Sequence, residues 1–521
     1  MHGLLLRHLH WIICFFECNG AFVAIHNWRI VIMNLINCVR TPPMANRTWS
    51  LVASGVVFLL TIIPGHADAL PVFARQTGQN CVACHAGGQF PELTPYGRAF
   101  KLTGYTLGER TIPLSVMAVA SSTTTRNTND TAQGGNPRAD FPKDGNAIIA
   151  GGSLFVAGKV TNNIGVFIQH TYDNYSGQSA SDSHWLGHSQ SDNVDIRYAD
   201  RFIDPKRDLI VGLSLNNNPT VQDIFNSVPA WWFPYQTGLS ATQPGFAPKI
   251  ASLGQNVAGI GAYAYWNQHV YAEVAAYRAA DRGIWSWMSQ GITTDQMSMV
   301  KGLNPYWRIA LTHEWGAHNV MVGALGMNTN QYNDPVIRDG GDTDKFRDIG
   351  LDAQYQYLLD PHALTAQASY IRERVKYGPA HNSSNASAFF DATGTISQPN
   401  FNDSDTLKFF RAKVSYAYHA KYGGSLAYFN IKGNTNAMNQ TAGFDDTGVL
   451  EAAGNHTGNL SGSPETRGMV SEVFWTPIQY VRLGAQYTAF SRFNGASTNY
   501  DGFGRNAKDN NSLFIYVWAA Y

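Results

Sequence analysis

From Leu114 to the last residue, apolar and polar positions alternate with a period of two, in segments of about ten residues or slightly more. Val481, Leu483, Ala485, Tyr487 and Ala489 alternate with Arg482, Gly484, Gln486 and Thr488. Ile349, Leu351, Ala353, Tyr355 and Tyr357 alternate with Gly350, Asp352, Gln354 and Gln356. Successive side chains of a strand point to opposite faces, so each segment predicts a strand with one apolar, aromatic face and one polar, charged face. The pattern predicts strands at 114–123, 147–159, 162–172, 192–202, 207–217, 255–266, 269–279, 305–314, 318–329, 344–358, 362–375, 405–419, 422–433, 466–476, 479–492 and 511–521. Tight turns and long loops alternate between them. Asp204-Pro205-Lys206, Asn267-Gln268, Asp360-Pro361 and Thr476-Pro477 sit in tight connections, whereas 124–146, 218–254, 376–404 and 434–465 are long.

Two architectures share this alternation. In a soluble sandwich the apolar face is the core; in a closed transmembrane barrel it meets lipid and the polar face lines a wet lumen. The strict alternation of short and long connections favours the barrel, with short periplasmic turns and long outer loops. The predicted fold is therefore all-β: a transmembrane antiparallel β-barrel of about sixteen strands, in the bacterial outer membrane and in contact with its lipid. Leu513, Ile515, Val517, Ala519 and Tyr521 alternate outward in the final strand and end on an aromatic residue, as such barrels do. Composition agrees, with 49 Gly, 25 Tyr and 13 Trp, and a mean hydropathy of −0.21. No apolar run of eighteen follows Ile63, which rules out a helical membrane protein after that point. Lys plus Arg equals Asp plus Glu at 37 each, so no basic excess points to nucleic acid.

The N-terminal region follows other rules. Arg47 after Met44, the apolar run Leu51 to Ile63 and Ala67-Asp68-Ala69 form a secretion signal, with the mature chain expected to begin at Leu70. Residues 1–43 hold Cys14, Cys18 and Cys38 and fit no part of that signal. They read as an extension ahead of a true start at Met44; a membrane anchor over Trp11 to Val39 is the other reading. The expected organisation is thus 1–43 extension, 44–69 signal peptide, 70–112 cofactor segment and 113–521 barrel.

The chemistry lies in Cys81-Val82-Ala83-Cys84-His85. Cys-x-x-Cys-His is the attachment signature of one covalent c-type haem: the two thiols form thioethers, and the adjacent His85 is the proximal iron ligand. A catalytic dithiol would not need His85, and a zinc site would need a second ligand pair although no Cys follows Cys84. The 43 residues of 70–112 are too few to bury a haem alone, so the lumen is the expected cover, with a segment hanging free in the periplasm as the alternative. Residues 86–112 contain no His and no Met. Candidates for the distal ligand are Lys101, and His269 and His419 from the barrel. Parity places His269 with Glu273, and His419 with Arg411 and Lys413, on lumen-facing sides near the rim. His313 and His318 fall on apolar faces, as interfacial residues do.

The surroundings of the motif extend the signal. Leu70-Pro71-Val72-Phe73-Ala74-Arg75-Gln76-Thr77-Gly78 precedes it, and Phe90-Pro91-Glu92-Leu93-Thr94-Pro95-Tyr96-Gly97-Arg98-Ala99-Phe100-Lys101-Leu102-Thr103-Gly104-Tyr105 follows. This stretch of about 36 residues resembles the fused monohaem cytochrome–porins of the outer membrane of iron-oxidising bacteria. Asn216-Asn217-Asn218-Pro219-Thr220 to Pro229-Ala230-Trp231-Trp232-Phe233-Pro234-Tyr235 is similar to a motif of their porin part, while Tyr96 stands where Phe is expected. The resemblance implies a one-electron oxidoreductase that oxidises extracellular Fe(II). Its electrons would pass to a periplasmic carrier such as a small cytochrome or a copper protein. For Fe(II) contact only acidic loop residues offer hard oxygens: Asp334, Asp339, Asp342, Asp344 and Asp445-Asp446. Two alternatives remain: a porin-type solute channel with a regulatory haem, and the same conduit running outward to reduce an extracellular acceptor.

Overall fold

The computed structural model describes residues 71–88, 92–126, 147–178, 185–228, 244, 246–289, 299–333, 341–379, 402–436, 461–500 and 504–521. The expected extension, the signal peptide, Pro229–Tyr235, Asp334, Asp339, Asp445 and Asp446 lie outside these residues.

Sixteen strands form one closed antiparallel barrel. They are β1 Leu114–Thr125, β2 Ala147–Lys159, β3 Ile164–Gln178, β4 Trp185–Asp204, β5 Arg207–Asn216, β6 Val257–Trp266, β7 Val270–Ala279, β8 Asn304–Trp315, β9 His318–Tyr332, β10 Thr343–Leu359, β11 His362–Lys376, β12 Ser404–Tyr418, β13 Tyr422–Gly433, β14 Thr466–Ile478, β15 Val481–Arg492 and β16 Ser512–Ala520. Each pairs with its successor, and β1 pairs with β16 from Met117↔Ala520 to Thr125↔Ser512. Alternation predicts most of these bounds to within three residues. The exceptions are the end of β3 and the start of β4, which run on to Gln178 and back to Trp185. Among its described side chains, Asp173, Asn174, Ser189 and Gln190 are polar on both parities, so the period of two fades there.

Burial follows parity. Along β8, Asn304, Tyr306, Arg308, Ala310 and Thr312 are buried inside, while Pro305, Trp307, Ile309 and Leu311 stand outside. The outer face is a broad apolar band: Ile260, Leu351 and Val473 are 63%, 62% and 65% exposed. A continuous band of this kind on a closed wall is the surface that lipid covers. At the tight-turn end it gives way to aromatic residues, including Trp315 stacked on His313 with ring centroids 5.4 Å apart and Trp475 opposite Tyr422.

The inner face has two sectors. One is charged and paired: the Arg197 Nε lies 2.9 Å from Asp195, Arg482 lies 2.8 Å from Glu472, and Arg308 reaches Asp352 at 2.5 Å and Asp223 at 3.5 Å. The other, on β16, β1, β2 and β3, is richer in apolar and aromatic residues: Trp518, Tyr516, Met117, Phe155 and Phe167 stand there among Ser115, Ser153 and Gln169. A uniformly polar lumen was the expectation, and this sector departs from it. A second departure concerns 218–254, expected as an outer loop. Part of it folds inward: Gln222 donates to Glu273, and the Lys249 and Ile250 amides donate to Glu373 and Asp348 at 2.6 and 2.7 Å.

The outer band predicts a depth-dependent cost of charge. Leu351→Lys at the centre of β10 should lower the stability of the lipid-reconstituted barrel by about 2–4 kcal/mol, and Leu359→Lys at the rim by about 0–1 kcal/mol. Equal costs in urea titrations of the two variants would contradict a lipid-facing band.

Candidate functional site

The first described residues form three short helices: α1 Pro71–Thr77, α2 Cys81–Cys84 and α3 Pro95–Leu102. One turn of helix sets Cys81 and Cys84, three residues apart, on the same side. The turn stops at His85, whose backbone is extended (φ −116°) and bridges antiparallel to Leu93. The Ala86 amide donates to the Glu92 carbonyl and the Thr94 amide to the Cys84 carbonyl, both at 2.9 Å. Thr94 caps α3: its hydroxyl accepts from the Gly97 amide at 3.1 Å and donates to the Ala83 carbonyl, with Pro95 opening the helix. Gly97 lets the two helices touch, since a Cβ there would lie 2.2 Å from the Cys84 carbonyl oxygen.

These helices bond to the inner wall at many points. Arg98 donates to Asn319 at 2.7 Å and to Gln356 at 3.1 Å; the Lys413 ammonium lies 2.6 Å from Glu92. The Tyr105 hydroxyl donates to Asp195 at 2.5 Å, and Tyr263 donates to the Leu102 carbonyl at 2.7 Å. Gln76 accepts from the Lys159 amide at 2.8 Å. On the apolar side, Phe73 stacks on Tyr105 and Phe167 and meets Phe100 edge-on, with centroids 4.9–6.2 Å apart.

Between segment and wall lies a cavity of ≈ 540 Å³, in the size range of cofactor sites. Cys81, Cys84 and His85 line it together. Its walls include Phe73, Phe155, Phe167 and Trp518, with Arg411 and the Glu92-paired Lys413 adding charge, of which Arg411 suits a carboxylate. Burial pushes the Cys84 thiol up to about 11, the opposite of the lowered value a redox dithiol needs. Burial also brings the His85 imidazole down to about 4, with Glu92 opposing, so the ring is neutral at pH 7, the form that ligates iron. Two thiols, a neutral imidazole, apolar walls and the Arg411 cation fit a covalently held haem.

Lys101 lines the cavity, but its ammonium donates to the Val221 carbonyl and lies 3.9 Å from Asp195. Burial holds it down at about 8. His269 and His419 are not among the residues lining the cavity. His269 sits exposed in the β6–β7 turn, its Nδ1 3.1 Å from the Thr312 carbonyl and its ring 5.7 Å from that of outward-facing His313. His419 is an exposed turn residue at φ +50°, with its Nδ1 3.8 Å from Asp360. Parity fails for both because each stands beyond its strand, where the turn breaks the period of two. Asp344 is engaged in accepting from the Gly378 amide at 2.8 Å. The cavity also contains Met117, which sequence reasoning missed. The available signal was an apolar residue in phase with Ser115 and Ser121 on a lumen face.

No protein-family model and no curated protein matches the chain. Among solved structures it is similar to the outer membrane channel DcaP of Acinetobacter baumannii (14% identity, 78% of this chain and 96% of that one, TM-score 0.38). It is also similar to Salmonella typhi OmpF in complex with daunomycin (11%, 78% and 97%, 0.41) and to OmpT of Vibrio cholerae (7%, 79% and 99%, 0.38).

The buried Lys413–Glu92 pair supplies a test of docking. Lys413→Ala strands a buried carboxylate, at a cost of about 3–5 kcal/mol, and should expose 71–105 to protease in the detergent-solubilised protein. Adding Glu92→Gln should restore part of the protection; unchanged digestion of Lys413→Ala would refute the anchor.

Proposed function

We propose that this chain is an outer-membrane electron conduit that carries one c-type haem in its barrel, oxidises extracellular Fe(II) and delivers the electrons to a periplasmic carrier. The observation that carries the reading is the convergence of Cys81, Cys84 and His85 on one largely apolar cavity between the segment and the barrel wall. Bound there, haem c would supply a ferric–ferrous couple, accepting one electron per Fe(II) oxidised and releasing it to a small cytochrome or copper protein. Cys81 and Cys84 would tether the macrocycle through thioethers, and His85 would ligate the iron. Phe73, Phe155, Phe167 and Trp518 would give the macrocycle apolar surface to lie against. Arg411 would hold a carboxylate and, with the Lys413–Glu92 pair, set the local field, a lever on potential.

The competing reading is a solute channel with a regulatory haem. The contacts of 71–105 with β4, β9, β10 and β12, and of the inward-folded part of 218–254 with β7, β10 and β11, favour the conduit, because both crowd the lumen.

The test uses vesicles displaying the intact protein with its long loops outward. Added Fe(II) should reduce the haem within seconds, and Cys84→Ala should abolish haem stain and reduction together. Conductance in planar bilayers should be low. Failure of Fe(II) to reduce the haem, combined with porin-like conductance, would overturn the conduit reading. A midpoint potential unsuited to accepting electrons from Fe(II) would instead favour outward electron flow.

A further inference from the structure

We infer that Met117 on β1 is the distal ligand of the haem iron, so that the barrel wall itself completes the coordination. The inference rests on the haem reading above and concerns this chain's own residues in the cavity.

Three observations converge. The first is the inventory of the cavity. Besides His85, its described lining offers four side chains of types that bind haem iron axially, Lys101, Lys413, Tyr105 and Met117, of which Lys413 is held by Glu92 at 2.6 Å. Lys101 donates to the Val221 carbonyl beside Asp195, and Tyr105 donates to Asp195 at 2.5 Å. Both belong to the charged sector of the wall and are engaged there. Met117 belongs to the apolar sector, packed beside the Trp518 cluster, and its thioether is a soft donor with no charge to neutralise.

The second is reach. The Cys81 Sγ lies 3.1 Å from the Gln479 carbonyl, in the turn before β15. Val481 pairs with Ala519, and Ala520 pairs with Met117. Two inter-strand steps therefore separate that turn from Met117, about 10 Å. That span suits a macrocycle tethered at Cys81 and met on its other side by a long, flexible side chain from the wall.

The third is parity. Ser115, Met117, Val119, Ser121 and Thr123 share the inner face of β1, so Met117 is aimed inward by the strand and not by a loop. Met117 packs beside the Trp518 cluster of this apolar sector, and beside a haem its thioether would in addition raise the potential, because a His–Met pair lies above a His–His pair.

The experiment uses full-length haem-loaded protein in detergent, with heat-modifiable migration on gels to show that each variant is folded. The ferric wild type should show the weak far-red band of a thioether bound to iron and a low-spin spectrum. Met117→Leu should lose that band and turn high-spin while retaining its covalent haem. Met117→His should restore a low-spin spectrum without the band and lower the midpoint potential. Lys101→Met, which leaves Met117 in place, should keep the band. The inference is overturned if the wild type lacks the band, or if Met117→Leu keeps it and stays low-spin. Absence of covalent haem from the wild type would instead overturn the haem reading, and this inference with it.

Discussion

Everything inside the barrel depends on the closure of β1 on β16. Before that ladder forms, both strands present a row of unpaired amides and carbonyls, which hydrocarbon cannot satisfy. Once Met117–Thr125 lies against Ser512–Ala520, the wall has no edge and encloses a space largely cut off from lipid. Charges enclosed there must find partners within the protein. Arg197 does so with Asp195, Arg308 with Asp223 and Asp352, and Arg482 with Glu472. Removing one member of such a pair costs more than the pair contributes, because the survivor stays buried and uncompensated.

The segment before β1 uses the two inner sectors differently. Its polar residues, Gln76, Glu92, Arg98, Lys101 and Tyr105, reach the polar part of the wall or its backbone. Its aromatic residues, Phe73 and Phe100, close over the apolar part beside Phe167. Lumen and segment are complementary surfaces, and the cavity is what their packing leaves unfilled. Gln76, Glu92, Arg98, Lys101 and Tyr105, all within the sequence stretch that flanks Cys81–His85, thus bind to the wall.

Much of the barrel was legible in the sequence because period-two alternation with one lipid face is imposed along every strand. Leu351 and Asp352 identify their sides by chemistry alone, and the ladder keeps that order. The signal failed where a second requirement overrode it. The upper ends of β3 and β4 stand where neither face needs to be apolar. The lumen face of β16 carries Phe514, Tyr516 and Trp518, so its two faces look alike in hydropathy. Parity cannot be carried through a turn, which is why His269 and His419 were placed inward although both stand exposed at the rim. The cysteine–histidine motif was readable because its residues are neighbours in sequence, set on one turn of helix. Met117 was not, because a side chain brought to the cavity across the fold leaves no spacing to read.

The cavity joins the two ends of the described chain: Cys81 lies near its start and Trp518 near its end. The chamber therefore has no existence along the polypeptide and none in any partly zipped sheet. It appears only when the final strand docks. Before that moment both thiols stand open to solvent; afterwards Cys81 is 4% exposed behind a wall that the last residues complete, while Cys84 stays half-buried. On the haem reading proposed above, the topology would set an order of events, with attachment before closure.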